Sequence, residues 1–219
     1  MKLAIIDYGS GNLKSVENAF KNSIKKNNLN FSIEVTDRLN LISKADHIVL
    51  PGVGSFPDCK KGLKQIDGLI DLLTDEVINK RKKFLGICVG MQLMVDSSSE
   101  KRSTAGFGWL NGNFEKIKTN GLDYLGRNYK VPHMGWNNLQ IKEKNHPVLE
   151  NINENEQYYF VHSYCLEKYK LDEIIAYTTY NHKIPAIIGK KNFLGVQFHP
   201  EKSGNSGQKF IHNWLSWKT

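Results

Sequence analysis

The chain has 219 residues, 40% of them hydrophobic, and 30 Lys and Arg against 22 Asp and Glu give it a formal charge of +8. This length suits one sizeable domain with a buried core, so a single domain over residues 1–219 is expected. Three cysteines are too few and too odd in number for a disulfide framework, and no apolar run reaches the length of a membrane span or signal-peptide core, which points to a reducing, cytoplasmic setting without a membrane.

Taken in order, Lys2 to Asp7 is a β-rich run broken by Gly9 and Gly11, and Leu13, Val16, Phe20 and Ile24 follow at helical spacing. The turn between them lacks the third glycine of a dinucleotide fingerprint and the Gly-Lys-Ser/Thr of a phosphate loop. Phe31 to Val35 and His47 to Leu50 read as strands, the second ending in Pro51-Gly52-Val53-Gly54. Lys60 to Arg81 reads as helical with a break at Ile66-Asp67-Gly68. The run Lys83-Phe84-Leu85-Gly86-Ile87-Cys88-Val89-Gly90-Met91-Gln92 then reads as strand, tight turn and a helix continuing through Val95. The order β-α-β-β-α-β-α predicts an α/β fold with a mostly parallel central sheet flanked by helices, and ligands at the carboxyl ends of its strands. Ser97 to Ala105 is polar and loop-like. From Gly106 the chain turns to short β-prone runs, expected to form additional β-hairpins on the sheet, and Gln208 to Trp217 reads as a closing helix with an apolar stripe of Phe210, Ile211, Trp214 and Leu215. The lysines are spread over several helical segments, so they read as solvated faces. Part of the excess suits an acidic protein partner better than nucleic acid.

A nucleophile framed as Gly-x-Cys-x-Gly between strand and helix is held strained and exposed, and a helix N-terminus favours its thiolate. A lone cysteine is more often an inert buried hydrophobe, as Cys59 and Cys165 are read. Cys88 is set apart by Gln197-Phe198-His199-Pro200-Glu201, where an apolar strand ends in His199. In extended chain, residues i and i+2 share a side, so Glu201 can orient the imidazole. The three residues make a Cys-His-Glu constellation for acyl transfer. The glycines beside Val53 let backbone N–H groups bend toward an oxyanion near Cys88. The seven histidines show no HExxH spacing and no Cys-x-x-Cys is present, so neither a metal nor a cofactor is expected. His162 reads as a packing residue.

Gly-Ile-Cys-Val-Gly-Met-Gln with Gln-Phe-His-Pro-Glu-Lys-Ser resembles the class I (triad) glutamine amidotransferases. Asp7-Tyr8-Gly9-Ser10-Gly11-Asn12-Leu13, Leu50-Pro51-Gly52-Val53-Gly54-Ser55-Phe56, Val131-Pro132-His133-Met134-Gly135-Trp136-Asn137 and Tyr159-Phe160-Val161-His162-Ser163-Tyr164 narrow the resemblance to the glutaminase subunits of imidazole glycerol phosphate synthase, from end to end of the chain. The resemblance implies Cys88, His199 and Glu201 as catalytic triad and oxyanion N–H groups at Val53 and Val89, with a loop flip triggered by ligand on the partner. It also implies glutamine contacts from Gly52, Gln92 and Ser163, although Gln92 reads equally well as an exposed helix residue. Asn12, Trp136, Tyr158 or its neighbour Tyr159, and Lys202 would face a separate (β/α)8-barrel synthase subunit in a heterodimer that receives ammonia through a channel. Val89 stands where the family more often has leucine. Two alternatives remain open: the same chemistry feeding amidination of a surface-polysaccharide sugar, and a non-catalytic module on this fold.

Overall fold

The structure is a computed structural model that describes residues 1–122 and 126–218. Strand β1 (Lys2–Ile6) is an apolar run buried beyond its first residue, as an interior parallel strand requires. Helix α1 (Leu13–Lys26) buries Val16, Ala19 and Phe20 along one face and places Lys25 and Lys26 at its carbonyl end. After β2 (Ser32–Thr36), the short α2 (Leu39–Ile42) and β3 (His47–Gly52), helix α3 (Phe56–Lys64) begins one turn before the expected Lys60. Ser55 explains the early start, because its Oγ accepts the Asp58 N–H at 3.4 Å. The expected break falls at Gly68, whose φ of 74° suits glycine, before α4 (Leu69–Thr74) and a wider π-helical turn at Asp75–Asn79.

Strand β4 (Lys83–Cys88) leads into α5 (Val89–Gln92), a single turn of helix. The expected continuation through Val95 does not form. The carbonyls of Leu93, Met94 and Val95 instead accept N–H groups of Phe107, Trp109 and Gly108 at 2.7, 2.9 and 3.1 Å. Val95 begins a strand, so the segment read as a loop contains strands β5 (Val95–Ser98) and β6 (Thr104–Ala105). The remainder comprises β7 (Leu110–Lys116), β8 (His133–Asn138), β9 (Gln140–Ile141), β10 (Gln157–His162), β11 (Tyr164–Glu167), β12 (Ile174–Tyr180), β13 (His182–Lys190) and β14 (Phe193–Val196). The closing helix α6 (Gly204–Ser216) starts a turn before the expected Gln208.

The large sheet has the order β2-β1-β3-β4-β14-β13-β12-β9, parallel from β2 to β14 and antiparallel beyond. Strands β10 and β8 pair separately, and β11-β7-β5-β6 form a third sheet. This mixed α/β arrangement matches the expected class, with hairpins both extending and flanking the central sheet. β4 lies between β3 and β14, with Gly52 opposite Cys88 and Val196 opposite Ile87. The carboxyl ends of these three strands therefore bring the Gly52 loop, Cys88 and the segment leading to His199 side by side.

Helix α5 rests on these strands backbone against backbone. A Cβ on Gly90 would stand 1.9 Å from the Leu50 carbonyl oxygen, and one on Gly86 would stand 2.6 Å from the Gly90 oxygen. No side chain can yield to relieve such contacts. Gly90→Ala is therefore expected to destabilise the protein by about 3 kcal/mol, seen as a fall of roughly 6–12 °C in the thermal unfolding midpoint. An unchanged midpoint would contradict this packing.

Candidate active site

Cys88 sits at the junction of β4 and α5 with φ 54° and ψ −110°. Such a conformation costs a non-glycine residue about 1–3 kcal/mol and persists only when its surroundings enforce it. Here they do, because β4 is hydrogen-bonded on both sides and α5 cannot rise from the sheet. The side chain meets a cavity of about 340 Å³ lined by Val53, Gly54, Val89, Gln92, Ser163 and His199 among others. The Val89 N–H lies in the first turn of α5, directly after Cys88.

His199 is held from both ends. Its N–H donates to the Tyr159 carbonyl at 2.9 Å, its own carbonyl accepts the Ser203 hydroxyl at 2.6 Å, and its Nδ1 meets Glu201 Oε1 at 2.7 Å. Glu201 gets there by a route other than the expected alternation of extended chain: Pro200–Lys202 is a 3₁₀ turn, and the turn folds the carboxylate back onto the ring. Both side chains are 2% exposed. Burial alone would push the imidazole pKa down, but hydrogen bonds to Cys88 and Glu201 and the charges of both outweigh it and raise the pKa to about 10. The site therefore keeps a proton on His199 beside the cysteine sulfur at neutral pH.

Gln197, which the sequence reading passed over, bridges the site. Its Nε2 donates to Cys88 Sγ at 3.6 Å and its Oε1 accepts from Gln92 Nε2 at 3.1 Å. Gln92 is buried, which removes the exposed-helix reading, and its amide nitrogen already serves Gln197. The signal for Gln197 was in the sequence: it stands two residues before His199 on the same extended run. Glu100, also passed over, lines the same cavity and accepts the Phe56 N–H at 2.7 Å. Nothing in its polar surroundings marked it out.

Gly52 does not line the cavity but is buried beneath α5, where a Cβ would meet Gly90 N at 2.8 Å and Val89 Cβ at 2.9 Å. The glycine is required by packing against α5, beside any room it leaves for substrate. Val53 is 39% exposed, and its carbonyl accepts the Ser10 hydroxyl at 2.7 Å and the Cys59 thiol at 3.4 Å, so the loop is tied down on that side. Ser163 forms cavity wall between β10 and β11.

His162 is buried in that wall. Asn137 Nδ2 donates to His133 Nε2 at 3.2 Å, His133 Nδ1 meets His162 Nε2 at 3.0 Å, and His162 Nδ1 donates to the Tyr164 carbonyl at 2.8 Å. The chain of donors assigns both tautomers. Burial lowers the two pKa values to about 3 and about 4, so neither ring carries charge at neutral pH.

Among the residues expected at a partner surface, Asn12 and Lys202 are exposed and Trp136 is 54% exposed. Tyr158 is not at that surface. Along β10 the even positions face inward, so Tyr158 is fully buried with its ring 4.4 Å from Phe198. Its neighbour Tyr159 faces outward instead, with Trp136 at 5.9 Å and Lys202 Nζ 5.8 Å above its ring. The fold also brings ligand atoms of Cys165, Glu167 and His182 within 4.8 Å of one another, because β11 runs past the start of β13.

A family model described as Glutamine amidotransferase class-I matches residues 4–217. The imidazole glycerol phosphate synthase subunit HisH of Brucella melitensis is 40% identical over 221 residues, and that of Mesorhizobium japonicum 41%, each match covering all of both chains. A glutamine amidotransferase crystal structure superposes with a TM-score of 0.67 at 13% identity over 97% of both chains. A Thermotoga maritima glutamine amidotransferase gives 0.57 at 17% identity over 99% of this chain and 83% of that one. These two likenesses concern the fold, whereas the sequence matches run through the cysteine, histidine and glutamate described above. The chain belongs to the class I glutamine amidotransferase family and, within it, to the imidazole glycerol phosphate synthase HisH subunits.

Proposed function

We propose that the chain hydrolyses the side-chain amide of glutamine and passes the ammonia to a separate (β/α)8-barrel synthase subunit, which makes imidazole glycerol phosphate and an aminoimidazole carboxamide ribotide in histidine biosynthesis. The observation that carries this reading is the strained Cys88 facing a protonated His199 that Glu201 holds at 2.7 Å. The Cys88 sulfur attacks the carboxamide carbon, and its electron pair moves the carbonyl π bond onto oxygen. N–H groups at Val89 and in the Val53 loop receive that charge. His199 gives its proton to the nitrogen, ammonia departs, and a thioester remains. Water deprotonated by His199 then releases glutamate and restores Cys88.

The substrate's charged end fits the opposite wall. Glu100 supplies a carboxylate for the α-ammonium, Ser163 a hydroxyl for the α-carboxylate, and Gln92 and Gln197 a polar floor beside the amide. Asn12, Trp136 and Lys202, with Tyr159 in the place first given to Tyr158, make the surface for the barrel subunit, and a heterodimer in the cytoplasm follows. No metal or cofactor enters the reaction, and the 219 residues act as one domain.

Glutamate release should be low for the chain alone, rise strongly with the barrel subunit and its ribotide ligand, and drop at least about 10⁴-fold in Cys88→Ala. No turnover with that barrel would sink the histidine-pathway reading and favour an amidinating partner. Because the His199 pKa is raised, its proton is retained through neutral pH and lost only as pH climbs toward about 10. The pH profile of kcat/KM should therefore stay level through mild alkali. Glu201→Gln should move the basic limb to lower pH and reduce kcat about 10²–10⁴-fold. Steady-state kinetics of Glu100→Gln should show a KM for glutamine raised roughly tenfold or more with a smaller change in kcat, whereas an unchanged KM would remove Glu100 from the substrate site.

A further inference from the structure

Away from the catalytic cavity, three side chains of different chemistry converge on one point. Cys165 and Glu167 stand at i and i+2 on β11 and so project from the same face of that strand. His182 opens β13 immediately after Asn181, whose φ of 63° turns the chain from β12. Cys165 Sγ lies 3.6 Å from Glu167 Oε1 and 3.9 Å from His182 Nε2, and all three ligand atoms fall within 4.8 Å of one another. Ligands around a tetrahedral zinc ion, with a metal–sulfur distance near 2.3 Å and metal–nitrogen or metal–oxygen distances near 2.0–2.1 Å, are separated by about 3.3–3.6 Å. The two distances from the cysteine sulfur are within a few tenths of an ångström of those values, and the Glu167 and His182 side chains close the remaining gap, up to 4.8 Å, by rotation.

The surroundings suit a cation as well. Cys165 is 2% exposed and packs with Ile117 and Ile184, whereas Glu167 and His182 are half-buried, which leaves a path from solvent. Glu115, the cross-strand partner of Cys165, adds a second carboxylate nearby, with Lys118 and Lys168 at 3.9 and 3.8 Å from it. Thiolate, imidazole and carboxylate together form a borderline donor set that prefers Zn²⁺ to Mg²⁺ or Ca²⁺.

We propose that Cys165, Glu167 and His182 form a three-ligand site for a divalent transition-metal ion of the zinc class, with a fourth position open to water. Binding exchanges the thiol proton for the metal: Cys165–SH and M²⁺ give the metal thiolate and release H⁺. The ion ties β11 to β13 at one point. Ser163 and Tyr164, in the wall of the catalytic cavity, immediately precede Cys165, so the site braces that wall without touching the reaction.

The test titrates Co²⁺ and then Zn²⁺ into the full chain carrying Cys88→Ala, which removes the catalytic thiol as a competing ligand. One equivalent of Co²⁺ should develop a thiolate-to-cobalt charge-transfer band that Zn²⁺ displaces, and Zn²⁺ should raise the unfolding midpoint by roughly 5–10 °C at a hundredfold excess over its Kd. Cys165→Ser should abolish the band, and His182→Ala, at a half-exposed position that the fold tolerates, should weaken Zn²⁺ binding tenfold or more. A band that survives Cys165→Ser, equal Zn²⁺ affinity in His182→Ala, or no stoichiometric binding would each overturn the proposal.

Discussion

The backbone of Cys88 is the constraint on which the site depends. A residue with a side chain accepts φ 54° only under compulsion, and the compulsion comes from glycines at neighbouring positions. Gly86, Gly90 and Gly52 let one turn of helix lie on β3 and β4 with no side chains between, so the chain has to reverse sharply at Cys88. Strands β3 and β14 hold β4 from both sides, and their registers place Gly52 and the run to His199 at the level of the sulfur. The strain of about 1–3 kcal/mol is small against the packing of a core cluster that extends from Leu3 to Trp217.

The electrostatics of His199 follow from that geometry. Burial opposes charge on the ring, and it is charged because two acceptors, the Cys88 sulfur and the Glu201 carboxylate, lie against it. One of these acceptors is consumed during the proposed reaction. Once the sulfur is bound in a thioester, its hydrogen bond and charge are gone, while the burial remains. The ring's affinity for a proton then falls at the stage when it must take one from water. A single imidazole can so serve first as acid and then as base, with no movement of the backbone.

The juxtaposition of Cys88, His199 and Glu201 was legible because its parts lie in two short segments whose local patterns carry meaning: glycines framing a cysteine, and a histidine ending an apolar strand. The parallel half of the sheet was legible from alternating strand and helix patterns, for the same reason. What escaped reading depends on partners distant in sequence. Helix α5 stops after one turn where Val95 joins a strand paired with Leu110, a partner that no local pattern announces. Tyr158 and Tyr159 are adjacent residues of one type, and only the pairing of β10 with β8 decides which faces the core. That Gly52 also makes room for a helix depends on α5 coming to lie over it. The cluster at Cys165 has no linear signature, since its cysteine and histidine are 17 positions apart.

His162 in the cavity wall, and His133 behind it, complete the electrostatic argument. His162 lies close enough to His199 for the latter's positive charge to disfavour a second one, and burial acts in the same direction. Neutral His162 still needs both ring nitrogens satisfied, which the Tyr164 carbonyl and His133 accomplish, and His133 in turn rests on Asn137. Asn137 is oriented independently, since its Oδ1 accepts the Asn138 N–H at 2.8 Å and its Nδ2 donates to the Thr179 carbonyl at 2.9 Å. The relay is therefore fixed from the surface strand inward, and its members neither donate protons to the cavity nor draw them from it. In the proposed reaction, proton traffic is left to His199, the imidazole with a carboxylate and the Cys88 sulfur beside it.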